Sequence, residues 1–128
     1  MRIYKSVTIL RDASVQSNDP YAIDLATLKM PSSCRVTINF NDNALVGKAE
    51  HFKHVDDHIE CDIIIADMAD PYNQELIDKL DLQPCVGVRV GRIYQNGQPA
   101  TDCELLSIGL AEPNVDPDIK PLSSYDYI

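Results

Sequence analysis

Apolar and polar positions alternate in separate stretches of the chain, and that alternation predicts a protein built mainly from β-strands. Arg2 to Leu10 places Ile3, Lys5, Val7 and Ile9 on one side and Tyr4, Ser6, Thr8 and Leu10 on the other, the period-two pattern of a strand with one mixed face. Cys34 to Phe40 alternates Val36, Ile38 and Phe40 with Arg35, Thr37 and Asn39 before the polar break Asn41-Asp42-Asn43. Gly47 to Val55 and His58 to Ala66 flank Asp56-Asp57. These short acidic side chains tolerate turn geometry, so a β-hairpin is expected across them. Ile63 to Ile65 is apolar on both faces, which suits a central strand.

Two stretches break the β pattern. Tyr21 to Met30 sets Ile23, Ala26, Thr27 and Met30 at helical spacing ahead of Pro31, predicting a short helix there. Before it, Asn18-Asp19-Pro20 reads as a turn. A clearer helix start follows at Asp70 and Pro71. The aspartate is an N-cap, and proline fits the first helical position because its missing N–H has no helical partner to lose. That helix should end near Leu82, before Pro84, and turn Leu76, Ile77 and Leu80 to the core.

The last globular stretch, Cys85 to Ala111, reads as two strands reversing at Asn96-Gly97. Val86, Val88 and Val90 share a face with Arg92 and Tyr94, and Cys103 to Ala111 returns. Residues 1–111 are therefore expected to form one β-rich domain, a compact antiparallel barrel or sandwich with one or two short helices. From Glu112 the composition changes. The remaining segment to Ile128 holds Pro113, Pro117 and Pro121, lacks apolar periodicity, and carries four acids against Lys120. Residues 112–128 thus read as an extended arm unable to build a core of its own. Its Tyr125, Tyr127 and Ile128 would supply apolar area if the arm docks elsewhere.

Charge narrows the function. Eleven Lys and Arg against twenty Asp and Glu give a net charge of −9, so neutralisation of phosphate, the main source of nucleic-acid affinity, is not offered globally. Anionic membrane surfaces are disfavoured for the same reason, and no apolar run approaches the roughly 20 residues that span a bilayer. Synthesis in a cytoplasm is expected, with Cys34, Cys61, Cys85 and Cys103 as free thiols, since their wide spacing contains no CxxC half-site.

Candidate chemistry is sparse. His51, His54 and His58 with Asp56 and Asp57 have the residue types of a metal cluster. On a hairpin, however, His51 and His54 should point to opposite faces, leaving at best His54 and His58 to meet across the turn. No metal and no other cofactor is expected. Cys85 is the one candidate nucleophile, at a strand start beside Val86-Gly87, but no partner base is evident in the sequence. Phosphate-binding loops and dinucleotide fingerprints are absent.

Four segments in order, RVTINFNDNALVGKAEHF, HIECDIIIADM, PCVGVRVGRI and CELLSIGLAEPNVDPDIKP, resemble the β-domain of tailed-phage prohead (head maturation) proteases and related small proteins encoded near capsid genes. In that family a catalytic histidine precedes an I-G or V-G dipeptide, an S-x-G carries the serine, and a last strand ends in a proline-containing corner. Val46-Gly47 matches the dipeptide, Cys85-Val86-Gly87 falls at the S-x-G, and Leu105 to Asn114 matches the last strand and its corner. The histidine position, however, falls among Asn41, Asp42 and Asn43, and cysteine stands for serine. Without its base such a site loses roughly 10² to 10⁴ in rate, so the resemblance implies a protease-like fold without proteolysis.

What the resemblance then implies is a capsid decoration, or cement, protein. It would be made in the host cytoplasm and carried on the virion surface, binding the major capsid protein and bridging capsomers. A homo-oligomer, such as a trimer at local three-fold positions, would suit it. The expected contact residues lie on the arm: Pro113, Pro117, Ile119, Pro121, Leu122, Tyr125, Tyr127 and Ile128. The alternatives are a maturation protease using Cys85 and a decoy that regulates such a protease.

Overall fold

A computed structural model describes residues 1–12, 22–67, 70–112 and 118–128. The turn expected at Asn18-Asp19-Pro20, and the arm residues Pro113 and Pro117, lie outside the described residues. Six strands form one sheet: β1 (Arg2–Arg11), β2 (Ser33–Ile38), β3 (Leu45–Val55), β4 (His58–Ile65), β5 (Gln83–Arg89) and β6 (Glu104–Ala111). Their order across the sheet is β1-β4-β3-β2-β6-β5. The fold is mainly β, as the alternation predicts, and the sheet curls into a half-barrel. All neighbours are antiparallel except β2 and β6, which run parallel.

The hairpin across Asp56-Asp57 is present, with Val55 opposite His58 and Asp56 at φ 51°. β4 lies between β1 and β3, and its Ile59, Cys61, Ile63 and Ile65 are buried. They pack with Val36, Ile38, Ala49, Leu105, Ile108 and Leu110 from the facing strands to make one continuous core. α1 (Pro71–Lys79) starts as the sequence predicts, Asp70 accepting a hydrogen bond from the Tyr72 N–H at 2.9 Å. Such a cap contributes about 1 kcal/mol. Its buried residue is Ile77. Leu80, expected in the core, caps the C-terminus in an extended conformation and is largely exposed.

Two further expectations are corrected. Residues 22–30 hold a single 3-10 turn, Leu25–Thr27, in place of a helix. Asp24 caps that turn, Leu28 is already extended, and Ile23 and Lys29 make parallel bridges to Ala100 and Glu104. Pairing with the returning chain outweighs a weak local helical pattern. Likewise, the β5–β6 ladder stops at Arg89 and Glu104, and beyond it Arg92 and Thr101 make an isolated bridge. The reversal near Gly97, at φ 79°, thus tips a long irregular loop and not a tight hairpin.

The largest departure concerns the arm. Leu122 is fully buried and Ile119 nearly so. Ile119 O accepts a hydrogen bond from buried Gln83 Nε2 at 2.6 Å, and the Leu122 N–H donates to Leu82 O at 2.9 Å. Pro121 opens a 3-10 turn, Leu122–Ser124. The Tyr125 hydroxyl then accepts from the Thr8 N–H at 3.2 Å. Tyr127 packs on Tyr4 with ring centroids 5.3 Å apart, under the Arg2 guanidinium. Finally, Ile128 and Ile3 exchange backbone hydrogen bonds of 3.1 and 3.3 Å. Residues 118–128 therefore connect the two outermost strands, the beginning of β5 and the edge of β1, and bury apolar side chains along that seam. The segment joins the domain's core.

Candidate functional site

The row Leu45, Thr37, Gly109 and Cys85 crosses β3, β2, β6 and β5 in direct register. It lies on the sheet face opposite the core row Val36, Ile108 and Val86, because successive side chains alternate faces. Beside it the chain leaves β2 through Asn39 and Phe40, both with positive φ (52° and 58°), and Asn41 N–H donates to Ile38 O at 2.9 Å. Two consecutive left-handed residues make the reversal tight. Asparagine accepts that geometry readily, whereas for phenylalanine it is an outlier that the surroundings must hold in place.

What holds it is a seat of two glycines. A Cβ built on Gly109 would come within 2.6 Å of the Phe40 ring, and one on Gly87 within 3.2 Å. Only residues without side chains let the ring lie so close to β5 and β6. Phe40 as a residue nevertheless keeps 42% of its surface exposed, and Leu45 in the adjoining row keeps 51%. The 39–43 turn thus lies beside β5, the strand that Cys85 opens near its start.

Cys85 itself is half-buried, and its Sγ donates to Gln83 O at 3.5 Å. Burial pushes its thiol pKa above the ordinary value. That is the direction opposite to an activated nucleophile, in which a nearby positive charge stabilises the thiolate. The other three thiols are also free, and burial holds Cys34 at about 11 and raises Cys61 further.

The histidines do not converge. His58 stands opposite Val55 and His54 opposite Ile59, so His54 and His58 do not meet across the turn. The His58 ring lies instead within 3.3 Å of Asp57 and 3.2 Å of Glu60. Partial burial opposes its charge, but the two carboxylates outweigh that and raise its pKa. Beside it, Thr8, Arg11, Asp118, Lys120 and Tyr125 complete a shallow cleft between the hairpin and the tail. Both signs of charge alternate there, and Arg11 is paired with Asp118 at 3.0 Å.

One cluster was not foreseen from the sequence. Asp62, in the middle of β4 and 9% exposed, is flanked by a bulge in each neighbouring strand. Lys5 and Ser6 bulge from β1, and His51 and Phe52 from β3. Ser6 and His51 take positive φ, 53° and 58°. The distortions aim donors at one carboxylate: Ser6 N–H at 3.0 Å, His51 Nδ1 at 2.9 Å and Lys5 Nζ at 3.2 Å. Bulges of this kind re-aim side chains. A strand parity argument therefore fails for His51, since the bulge interrupts the alternation. The available signal was a lone aspartate inside the apolar run CDIII.

Burial pushes the Asp62 pKa up, but the bonds from His51, Ser6 and Lys5 more than offset it and hold the carboxyl below its ordinary 3.8. A carboxyl whose folded pKa is depressed stabilises the fold above the unfolded value and loses that contribution as pH falls through the folded one. Asp62→Asn is expected to cost about 2 kcal/mol at neutral pH, in the range for hydrogen bonds to a charged group. Urea unfolding at stepped pH should show the gap between the two proteins constant above about pH 5 and closing below pH 3.8. A gap that stays constant into acid would remove Asp62 as the titrating group.

No protein-family profile matches the chain, and no curated protein or solved structure matches it.

Proposed function

We propose that this protein is a decoration, or cement, protein of a tailed-phage head, bound to the capsid exterior, where it bridges capsomers. The observation that carries the reading is the Phe40 seat. On the sheet face that carries Cys85, the chain spends backbone strain at Phe40 and two glycines, Gly87 and Gly109, on holding an apolar side chain that stays partly exposed to solvent. Strain maintained at one surface position supports a functional surface, and apolar exposure of Phe40 and Leu45 supports a surface that binds. Cys85, with its raised pKa and no imidazole beside it, gives the maturation-protease alternative little to act with.

The contact residues shift accordingly. Ile119 and Leu122 are committed to the chain's own core, and the Tyr125 hydroxyl to β1. Of the arm, Tyr127 and Ile128 keep substantial exposed surface. Repetition over a symmetric shell then adds avidity to a modest single-site affinity.

The test is sedimentation with expanded heads of the encoding phage from which the protein has been left out. The wild-type chain should pellet with the heads at a fixed copy number that saturates. Phe40→Ser combined with Leu45→Ser should weaken binding at least tenfold. Wild-type protein that stays in the supernatant at all concentrations would refute the decoration reading.

A further inference from the structure

We propose that residues 118–128 form an exchangeable segment, and that at high local concentration the seam of one copy accepts the tail of a second copy. This rests on the geometry of the tail alone and not on the capsid reading.

Every anchor of the segment runs from the tail to a part of the body far away in sequence. Ile119 O and Leu122 N–H bond Gln83 and Leu82, Tyr125 bonds Thr8, and Ile128 pairs with Ile3. Nothing in these contacts requires donor and acceptor to belong to the same chain. The tail of any copy can repeat them in any other, and exchange of an identical element creates a dimer without a new interface having to evolve. A second copy is also the partner whose fit to the seam is given by construction. Leu122 fills a place in the core, and the Ile128–Ile3 backbone pair satisfies groups on the free edge of β1.

Mass action sets the conditions. A tail on its own body acts at an effective concentration of about millimolar, so dilute protein keeps its own tail. Crowding copies to a comparable concentration, or arraying them on a surface, lets the neighbour's tail compete. Exchange then links copies through the fully buried Leu122 rather than through a surface contact.

The experiment uses two full-length single variants, Ile3→Cys and Ile128→Cys, in native chains whose other thiols are buried or half-buried. The double variant comes first, oxidised in dilute solution, and should yield an intramolecular link identified by mass spectrometry of the joined peptides. The two single variants are then mixed, partly unfolded and refolded together at stepped concentrations, and oxidised. A link between residue 3 of one chain and residue 128 of the other should appear and rise at least fivefold from micromolar to millimolar protein. A mixture giving no such link at any concentration, while the double variant closes on itself, would overturn exchange. Failure of the double variant to close would overturn the tail geometry on which exchange rests.

Discussion

Leu122→Ala is expected to destabilise the protein by about 3 kcal/mol, the cost of a cavity at a fully buried leucine. The substitution lies near the end of a proline-containing acidic segment, where a mobile tail would tolerate any side chain. In the structure Leu122 belongs to the core cluster, and its N–H is tied to Leu82. Removing three carbons there leaves a cavity in the core beside α1 and the beginning of β5, in a turn tied down by the Leu122–Leu82 hydrogen bond. For a domain of this size the change corresponds to a drop of roughly 10 °C in the unfolding midpoint. Leu106→Ala supplies the control. That leucine sits on a strand but is 45% exposed, and its replacement should cost under about 1 kcal/mol. Calorimetry showing equal midpoints for Leu122→Ala and wild type would mean that the tail is not part of the cooperative fold.

Gly47→Ala should be as damaging, for the opposite reason. Gly47 lies in β3 between Val36 of β2 and Ile65 of β4. A methyl group there would overlap the Ile64 carbonyl oxygen, and it would lie 3.1 Å from the Ile65 Cα. The obstacle is backbone in a central strand, so no side-chain rotation relieves it, and either the β3–β4 ladder or the nearby bulge at Val46 must shift. Overpacking of this kind costs about 3 kcal/mol. Hydrogen exchange should show the loss of protection concentrated in β3 and β4. A Gly47→Ala variant that unfolds at the wild-type denaturant midpoint would show that the strands do not approach so closely. Gly47 belongs to the Val46-Gly47 dipeptide on which the family resemblance partly rests, and close packing is sufficient reason for a glycine there.

The strands of this protein are legible in the sequence because burial on one face of a sheet imposes a period of two. The runs in β2 and β4 show it, or show the continuous apolar character of a strand enclosed on both sides. In β1 the expected split of Ile3, Lys5, Val7 and Ile9 from Tyr4, Ser6, Thr8 and Leu10 is broken by bulges, and the core takes Tyr4, Val7, Ile9 and Leu10. The start of α1 at Asp70-Pro71 and the hairpin at Asp56-Asp57 are legible for a similar reason. Caps and tight turns are satisfied by residues within a few positions of one another, so local sequence suffices to specify them.

What the tertiary structure alone decided are the features whose partners are remote in the chain. The helical spacing in residues 22–30 yields to bridges with Ala100 and Glu104, far along the chain. Phe40 is held in a left-handed conformation by Gly87 and Gly109, and neither glycine reads as its seat until the strands are assembled. Asp62 draws Lys5, Ser6 and His51 out of two neighbouring ladders, a convergence invisible to parity because bulges interrupt the alternation on which parity depends. The tail is the clearest case. Composition leads to the expectation that residues 112–128 do not fold by themselves, since they hold too little periodic apolar surface to offset the entropy of ordering. Whether such a segment stays free depends on a surface elsewhere that accepts it, and that surface exists only once β1 and β5 have been brought to the two edges of one curled sheet.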